Sequence, residues 1–348
     1  MNKTQQNLIK KSHYYNERFI MDVDKILIDF EQSESDISLN LAQTIQQLSK
    51  LSSAVPHPAQ GATLKRWQIL ARVAATDLTL AKWFESHLDA LSILQELNSN
   101  AAEDRLWAVW AAEGSAIPLQ LQQGRCSGQK NWCSAAAMVD YALLTYRDTQ
   151  QQAQLLMVDM HQPSISINHD AWQAVGMQST ATASVYFDET SVQVVGTPNA
   201  YLERAGFWHG AAGVAACWYG AATRLAHFLY QACQAKPDTY RLMYLGEVST
   251  ALKTTQQYFH HVAAQIDRDP LQSHELIVRI LRAQVEQTAQ LVLQQVGKAL
   301  GARPFCEHKI FAALAADLPV FLRQSHAAID LEQIGKITTL QGDDLCRL

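Results

Sequence analysis

The sequence lacks the features that mark several common protein classes. None of its six cysteines forms a C-x-x-C pair, which argues against a zinc knuckle and a dithiol redox motif. Its net charge of −5 provides no basic field to attract nucleic acid or an acidic membrane surface. No apolar run reaches the ~18 residues that a membrane-spanning helix requires. We therefore expect neither a nucleic-acid partner nor a membrane partner.

Common catalytic and targeting signatures are also missing. No strand is followed by a G-x-S-x-G elbow, a P-loop or a G-x-G-x-x-G turn. His260-His261 and Glu307-His308 are pairs of neighbours, and adjacent helix positions point about 100° apart, so neither pair chelates a metal. The N-terminal residues 1–19 have no apolar core of the signal-peptide type. We therefore expect a reduced, cytoplasmic protein without a metal site.

The composition is that of a globular protein with a large core. The 348 residues are 48% hydrophobic and 18% charged, which is enough for two or three domains. Residues 1–103 form the first expected domain, which is helical. Its clearest element is residues 64–97, where apolar side chains recur at helical spacing. These are Leu64, Trp67, Ala71, Ala74, Leu78, Ala81, Leu88 and Leu91.

The pattern changes to short strands over residues 104–198. Several brief apolar runs follow one another without intervening helices, and residues 181–187 alternate strictly between apolar and polar side chains. This pattern predicts an antiparallel sheet that closes into a barrel or packs as a sandwich. We expect residues 104–198 to form a middle β-barrel domain.

The helical period returns in residues 199–348, the third expected domain. Four long helical segments are separated by Pro237, Pro270 and Pro304, which predicts an up-down four-helix bundle. The first segment contains Gly210, Gly213 and Gly220, and such small residues allow close helix packing. The predicted fold class is therefore α+β, in the order helical domain, β-barrel and four-helix bundle.

Three segments carry a resemblance to a known family. Residues 124–147 resemble a G-x-K-x-[WF]-[IC]-[TS] segment followed by small residues, an acidic residue and a strand. Residues 172–192 resemble the segment W-x-x-x-G-M-x-x-T-x-[ST]-x-x-V-x-F-[DE], and residues 316–331 resemble a final helix and its turn. In this order, over roughly residues 65–335, the chain resembles the acyl-CoA dehydrogenase superfamily.

The resemblance implies a flavoprotein that binds FAD. In the family, the aromatic residue of the first segment lies beside the isoalloxazine ring, and the hydroxyl two residues later bonds near the flavin N5 and O4 edge. Here these residues are Trp132 and Ser134, with Cys133 between them. An indole offers a flat apolar contact, and a hydroxyl can donate to the acceptor edge of a flavin. The alternatives are that Trp132 is a core residue of the barrel and that Cys133 only packs as a small residue.

A further family segment, T-E-P-x-x-G-S-D, contacts both flavin and acyl-CoA. The matching residues 111–118 read AAEGSAIP, so the resemblance assigns Glu113 and Ser115 to cofactor binding, while Ala112 stands at the threonine position. The alternative for Glu113 and Ser115 is an ordinary turn between a strand and a loop.

Dehydrogenation of an acyl thioester needs a base, and neither of the family's usual glutamates is present. One would follow the C-terminal helix, where residues 321–330 read FLRQSHAAID; the other would lie near the start of the first bundle helix, where residues 206–213 read GFWHGAAG. A missing general base costs ~10²–10⁴-fold in rate. The candidates to replace it are His209, His326 and Asp330. The alternative for each histidine is a surface or core position.

The terminal segment also resembles the flavin monooxygenase branch of the superfamily, which has arginine and histidine in this region. Arg323 and His326 fit that pattern, and the resemblance assigns Arg323 to cofactor binding. Two FAD-binding segments are weaker than in the family. The R-x-Q-F-G segment is absent after Pro237, and the Q-x-x-G-G-x-G segment is reduced to QQVGKALGAR at residues 294–303.

These observations lead to an expected function with two alternatives. We expect an FAD-dependent oxidoreductase that acts on CH–CH groups of a small-molecule substrate, with an acyl-CoA as one candidate. The family's assembly through its bundle implies a homodimer or homotetramer. The first alternative is a flavin-dependent monooxygenase that uses reduced flavin and O₂. The second is a non-catalytic binding or scaffold relative with weakened FAD binding.

Overall fold

The computed structural model describes residues 19–102 and 104–341, so the first eighteen residues of the predicted helical domain lie outside the described part. Four helices come first: α1 at residues 19–32, α2 at Ile37–Ser49, α3 at Thr63–Thr76 and α4 at Leu78–Glu96. In the described part of the chain, no helix is long and apolar enough to cross a membrane.

The long helical element predicted over residues 64–97 is two helices, which corrects the sequence interpretation. Asp77 has extended backbone angles (φ −156°, ψ 134°), so it ends α3, and its carboxylate accepts a hydrogen bond from Leu80 N at 2.9 Å to begin α4. An N-capping aspartate favours this break. The apolar stripe continues across it because Leu78 and Ala81 are buried on the same side as Ala74.

The β region consists of two open four-stranded sheets rather than the predicted closed barrel. The first sheet has the order β1-β4-β5-β8 and the second the order β2-β3-β7-β6. Their bounds are β1 Trp107–Trp110, β2 Gln120–Gln122, β3 Arg125–Cys133, β4 Tyr141–Arg147, β5 Ala153–Asp159, β6 Ile165–Asn168, β7 Ala183–Ser191 and β8 Gln193–Val195. The prediction of purely antiparallel pairing is also wrong, because β1 and β4 run parallel.

Helix α4 covers the free edge of β1, and this explains why the first sheet does not close. The amide of Trp107 donates to His87 Nδ1 at 3.2 Å, and the amide of Val109 donates to Ser86 Oγ at 2.8 Å. Both acceptors lie on α4. An edge strand must be paired, covered or charged, and here side chains of a helix take the place of another strand.

The C-terminal region contains three long helices followed by shorter ones. The bounds are α5 Ala200–Glu203, α6 Gly206–Ala235, α7 Thr239–Arg268, α8 Glu275–Leu300, α9 Arg303–Glu307, α10 Lys309–Phe321 and α11 Ala327–Gln341. The fourth long helix predicted for the bundle is therefore divided into α9, α10 and α11. The predicted close packing of the glycine-rich segment is confirmed at Gly220, where a Cβ would lie 2.0 Å from the carbonyl oxygen of Ala71 on α3.

Candidate functional site

Trp132, near the end of β3, is a large aromatic residue that lies exposed at the surface. The pairing of β3 with β7 shifts register between Lys130 and Cys133, which marks a β-bulge. Trp132 lies on this bulge with a left-handed backbone (φ 57°), and its side chain is 58% exposed. A core tryptophan would be buried, so the interpretation of Trp132 as a core residue is wrong. The bulge thus holds a large indole outward, where its flat apolar face is exposed.

A polar network covers the sheet face beside Trp132. Gln129 Nε2 donates to Asn131 Oδ1 at 2.8 Å and to the hydroxyl of Tyr186 on β7 at 3.2 Å. The hydroxyl of Ser184 donates to the same Asn131 oxygen at 3.0 Å. The half-buried Gln129, Asn131 and Tyr186 and the buried Ser184 fix one another in place, and they give the face both donors and acceptors of hydrogen bonds.

The segment before β2 crosses β3 and brings Ser115 to this face. Gln129 N donates to the carbonyl oxygen of Ile117 at 2.8 Å, and Ser115 Oγ donates to Gln129 Oε1 at 3.2 Å. The crossing requires a glycine at position 128, because its φ is +129° and a Cβ there would lie 2.6 Å from the Pro118 oxygen. The structure thus brings the predicted residue Ser115 to the strand that carries Trp132.

Glu113 has a different environment. Its carboxylate accepts hydrogen bonds from Arg147 Nε on β4, at 3.1 and 3.3 Å. The two side chains are 45% and 40% exposed, so this is a surface ion pair. Glu113 is therefore paired with the last residue of β4, an inner strand of the first sheet.

Cys133 and Ser134 lie on the inner side of the bulge. Cys133 is fully buried, its thiol donates to the Lys130 oxygen at 3.3 Å, and burial raises the pKa of the thiol far above its usual value. Ser134 is 3% exposed and lies beside Trp83 and Ser86 of α4. The buried thiol packs in the interior rather than facing the surface, and it is unreactive because the thiolate is strongly disfavoured.

Backbone contacts anchor the turn that follows the bulge. The indole nitrogen of Trp110 donates to the Ser134 oxygen at 3.1 Å, and the amide of Ala135 donates to the Thr180 oxygen at 3.0 Å. Trp83 Nε1 of α4 also donates to the Thr180 oxygen, at 3.1 Å. The turn after the bulge is thus held from behind by β1 of the first sheet, by the segment before β7 and by α4.

The predicted residue His209 lies in the helical region, near the start of α6. It is 1% exposed, and its Nε2 donates to the Gln272 oxygen at 3.0 Å. Desolvation by burial is the largest influence on its pKa and lowers it to about 4, against the smaller, opposing effect of the hydrogen bond to Gln272. His209 is therefore neutral at pH 7. Gln272 and His274 separate it from a surface groove of about 640 Å³ between the α7–α8 turn and α11.

The other predicted residues meet at the turn between α10 and α11 but point in different directions. Asp330 is 5% exposed and forms an ion pair with Arg279 of α8, whose guanidinium lies 4.1 Å from the Trp208 ring centroid. Arg323 donates to Glu286 Oε1 at 2.7 Å. His326 is exposed. The turn does not gather the three groups into one catalytic arrangement.

A buried arginine fixes this turn. Arg282 of α8 donates to the Ala211 oxygen of α6 at 2.6 Å and to the Gln324 oxygen at 3.1 Å. Together with the pair between Arg279 and Asp330, it ties α6, α8 and the α10–α11 turn into one closed network. We call Arg279, Arg282, Arg323, Asp330 and Glu286 the bundle-end network.

Sequence reasoning missed several residues of both regions. Gln129, Asn131 and Tyr186 alternate with buried positions on β3 and β7, so their shared face could have been predicted from the period-2 pattern. Lys130 stands in the family-like segment without an assigned role. Glu85 of α4 is 7% exposed, and burial raises its pKa to about 7. No sequence signal distinguishes Glu85 from a surface residue of α4.

No sequence-family model and no curated protein match this chain. Solved structures do. TdsC from Paenibacillus sp. A11-2, a dibenzothiophene monooxygenase with FMN bound, aligns with a TM-score of 0.75 and 14% identity over 94% of this chain and 97% of its own. Butyryl-CoA dehydrogenase from Megasphaera elsdenii aligns with a TM-score of 0.74 and 12% identity over 97% and 99%. The chain has the acyl-CoA dehydrogenase fold.

A third structure of this acyl-CoA dehydrogenase fold is XiaF from Streptomyces sp., which was solved with FADH₂ and glycerol. It aligns with a TM-score of 0.74 and 13% identity over 98% of this chain and 99% of its own. The chain thus spans nearly the whole length of these proteins. At such low identity the likeness establishes the fold, and residue roles have to be argued from this chain's own geometry.

Proposed function

We propose that the protein is a flavin-dependent oxidoreductase and that its flavin, FAD, lies against Trp132. The observation that carries the proposal is the outward indole, 58% exposed on a left-handed bulge. A large aromatic side chain gains free energy when a flat apolar partner covers it. The relatives solved with FMN and with FADH₂, TdsC and XiaF, support a flavin as that partner.

The face beside Trp132 fits the polar edge of a flavin ring. A flavin presents carbonyl oxygens and ring nitrogens, and Gln129, Asn131 and Tyr186 offer amide and hydroxyl groups to them. Ser115 joins the same network through Gln129. When bound, the flavin supplies the electron-transfer chemistry, while these residues hold and orient it.

Arg323 is the proposed phosphate contact. It uses Nη2 to pair with Glu286, and its side chain is 58% exposed. Because a guanidinium carries five N–H donors, the remaining ones are free to bind an anion. Arg241 follows Pro237, where the family's R-x-Q-F-G segment would stand, but it is engaged with Asp238 at 3.3 Å and with the Lys236 oxygen at 3.4 Å.

The reaction proposed first is oxidation of a CH–CH group in an acyl-CoA-like or other small substrate. This reaction needs a base for the α-proton. Of the predicted bases, His209 is 1% exposed behind Gln272 and His274, and Asp330 is buried in its ion pair. The exposed His326 is therefore the proposed base.

A flavin monooxygenase is the second candidate, and one observation favours it. Asp330, the carboxylate of the α10–α11 turn, is buried in an ion pair with Arg279 and is not presented to a substrate. Oxygen insertion by reduced flavin requires no carboxylate base at this turn. The dibenzothiophene monooxygenase TdsC has the same fold.

Flavin titration tests the proposal. Purified protein is added separately to FAD, FMN and riboflavin, and binding is followed by flavin fluorescence. Trp132→Ala should weaken binding about tenfold, which is the scale of one lost aromatic stacking contact. Tyr230→Ala is the matched control, because Tyr230 is also an exposed aromatic residue (45%) but lies on α6.

The outcomes separate function from site. If the wild-type protein binds none of the three flavins, the proposed function is wrong. If it binds flavin and Trp132→Ala binds equally well, the flavin site lies elsewhere. An affinity for FAD no greater than that for FMN would argue against FAD as the specific cofactor and against a contact from Arg323 to the second phosphate.

The reaction type is tested with the flavin-loaded protein. Anaerobic bleaching of the flavin by butyryl-CoA would support dehydrogenation. Consumption of O₂ with reduced flavin, coupled to oxygenation of an added aromatic substrate such as indole, would support monooxygenation. A flavin-loaded protein inactive in both assays would favour the non-catalytic alternative.

Self-association as a homodimer or homotetramer remains a proposal for the helical region. Tyr240 and Met243, which share a face near the start of α7, are 74% and 55% exposed, and adjoining apolar surface of this kind supports contact with a second copy. Light scattering of the wild-type protein and of Met243→Glu would test it. A monomeric wild-type protein would contradict it.

A further inference from the structure

Lys130 lies directly beneath the bulge that carries Trp132. Its side chain is directed into the space between the sheets and is 4% exposed. The ammonium group donates to the Thr145 carbonyl oxygen at 2.6 Å and to the Thr145 hydroxyl at 3.0 Å. Because Thr145 belongs to β4 of the first sheet and Lys130 to β3 of the second, this side chain ties the two sheets together.

Further hydrogen bonds extend this tie on both sides. The Thr145 hydroxyl donates to the oxygen of Ala111, the residue after β1. On the bulge itself, the Cys133 thiol donates to the Lys130 oxygen at 3.3 Å. The backbone at Lys130 and Cys133 is thus fixed from within, while the two residues between them, Asn131 and Trp132, form the outer side of the bulge.

The burial of this cation is costly. Desolvation lowers the pKa of Lys130 to about 8, against the smaller opposing effects of the Cys133 thiol, Glu113 and Cys126. Glu113 itself is paired with Arg147. The direct partners of the ammonium group are the two neutral oxygens of Thr145, and stability alone would favour an apolar side chain of similar size at this position.

We infer that Lys130 is the positioning residue of the flavin site, which sets the bulge so that Trp132 faces the flavin. The inference rests on the proposed function, because it assigns to Lys130 an effect on flavin binding that acts through Trp132. Lys130 itself is buried and does not reach the surface face. The effect is therefore geometric: a relaxed bulge would let the indole turn away from the position it needs.

A double-mutant cycle on flavin affinity tests the inference. Lys130→Met, Trp132→Ala and the double variant are titrated with FAD in the full-length protein. We expect a loss of about fivefold for Lys130→Met, the scale of one net hydrogen bond. The double variant should bind no more weakly than Trp132→Ala, because Lys130 has nothing to position once the indole is absent.

A second measurement reads the indole directly. Iodide quenching of tryptophan fluorescence is compared between proteins with Trp132 and with Trp132→Phe, which isolates the contribution of Trp132. Lys130→Met should change the quenching constant of Trp132 in the absence of flavin. If Lys130→Met does not fold, Thr145→Val provides the second variant, since it removes one acceptor of the ammonium group and keeps the backbone oxygen.

The outcomes distinguish the inference from the proposed function. Additive losses in the double variant, or unchanged quenching in a folded Lys130→Met or Thr145→Val protein, would overturn the positioning role and leave the flavin site intact. An unchanged affinity of Trp132→Ala alone would instead overturn the flavin site, before Lys130 is considered.

Discussion

The bulge face around Trp132 and the bundle-end network orient their charged and polar groups differently. At the bulge, a buried cation and a glycine crossing hold an indole and several amides outward. At the bundle end, Arg279 and Arg282 are turned inward and are matched by a carboxylate and by carbonyl oxygens, whereas Arg323 pairs with Glu286 and stays largely exposed. The first arrangement leaves a face that another molecule can cover, and the second leaves one exposed guanidinium beside a closed interior.

The difference assigns separate roles to two regions that the family resemblance treats as one site. Sequence similarity placed cofactor contacts around β3, in the segment before β2 and at Arg323, and it placed catalytic groups near the start of α6 and at the α10–α11 turn. The geometry leaves the β3 face exposed, and this is the face to which we propose that the flavin binds. Asp330 and Arg282 have a structural role, because both are buried and each one bonds to another helix or turn.

The largest effect is expected from breaking the bundle-end network. Arg279→Met leaves Asp330 buried without its cation, which costs about 3–5 kcal/mol of unfolding free energy. Urea unfolding followed by circular dichroism measures it. The double variant Arg279→Met/Asp330→Leu should recover most of the loss. Arg303→Met is the control, since its partner Glu307 is an exposed neighbour on α9, and it should unfold like the wild-type protein.

Equal free energies of unfolding for Arg279→Met and Arg303→Met would show that the ion pair of Arg279 with Asp330 contributes no more stability than the exposed pair of Arg303 with Glu307. The distinction between the two regions would then be wrong.

Acid should lower the free energy of unfolding through the protonation of His209. Its folded-state pKa, about 4, lies below the usual 6.5, so protonation opposes folding. The neutral form is present in full above pH 6.5, and the associated stability is lost as the pH falls from 6.5 toward 4, by at most about 3 kcal/mol. His209→Gln, which can still donate to Gln272, should flatten the fall in unfolding free energy over this window.

His326→Gln serves as the comparison, because His326 is exposed on the nearby turn. If the unfolding free energy of His209→Gln falls with pH as steeply as that of the wild-type protein, His209 is not the cause of the acid destabilisation. His87, whose pKa burial also lowers to about 4, would then be the group to change next.

The bulge face can be broken at Gly128. Gly128→Ala adds a Cβ that meets the Pro118 oxygen at 2.6 Å on a backbone with φ +129°, at a cost of about 2 kcal/mol. The displaced crossing should separate Ser115 from Gln129 and weaken flavin binding. Gly114→Ala is the matched control, because its φ is +103° but no atom lies within 4 Å of the added Cβ.

Thermal unfolding and FAD titration of both glycine variants measure the two consequences. If Gly128→Ala and Gly114→Ala lose the same stability and the same affinity for FAD, backbone strain alone explains the effect. The contact between Gly128 and the segment before β2 would then not be needed for flavin binding.

The smallest effect is expected at Glu113. Glu113→Gln removes one exposed ion pair with Arg147, worth less than about 0.5 kcal/mol after solvent screening. Flavin affinity should stay unchanged, because Glu113 is directed to Arg147 of the first sheet. A clear loss of FAD affinity, measured by the same titration, would restore the direct cofactor contact that the family resemblance implies.

Some of this architecture could be predicted from local patterns. The alternation along β7 and the helical stripe from Leu64 to Leu91 follow from burial of one face, which the sequence records directly. The break at Asp77 was missed because the stripe continues across it. The parallel pairing of β1 with β4 was missed because it depends on which strands meet in space, and strand composition does not specify this.

The site shows the same limit. Trp132 could be selected from its segment, but its exposure depends on a bulge whose register is set by β7 and by the contact between Lys130 and Thr145. Asp330 could be selected as a carboxylate near the expected base. Whether it is free to act as a base depends on its ion pair with Arg279, which lies 51 residues away along the chain, and no periodic pattern in the sequence predicts this pair.

The cover that α4 provides for β1 has a consequence for how the chain can be divided. The amides of Trp107 and Val109 find their acceptors on Ser86 and His87, which belong to the segment before the sheets. A fragment cut out at residues 104–198 would present these amides as an open strand edge, ready to pair with another copy. The two sheets are therefore no autonomous module: their solubility depends on a helix that precedes them in the chain.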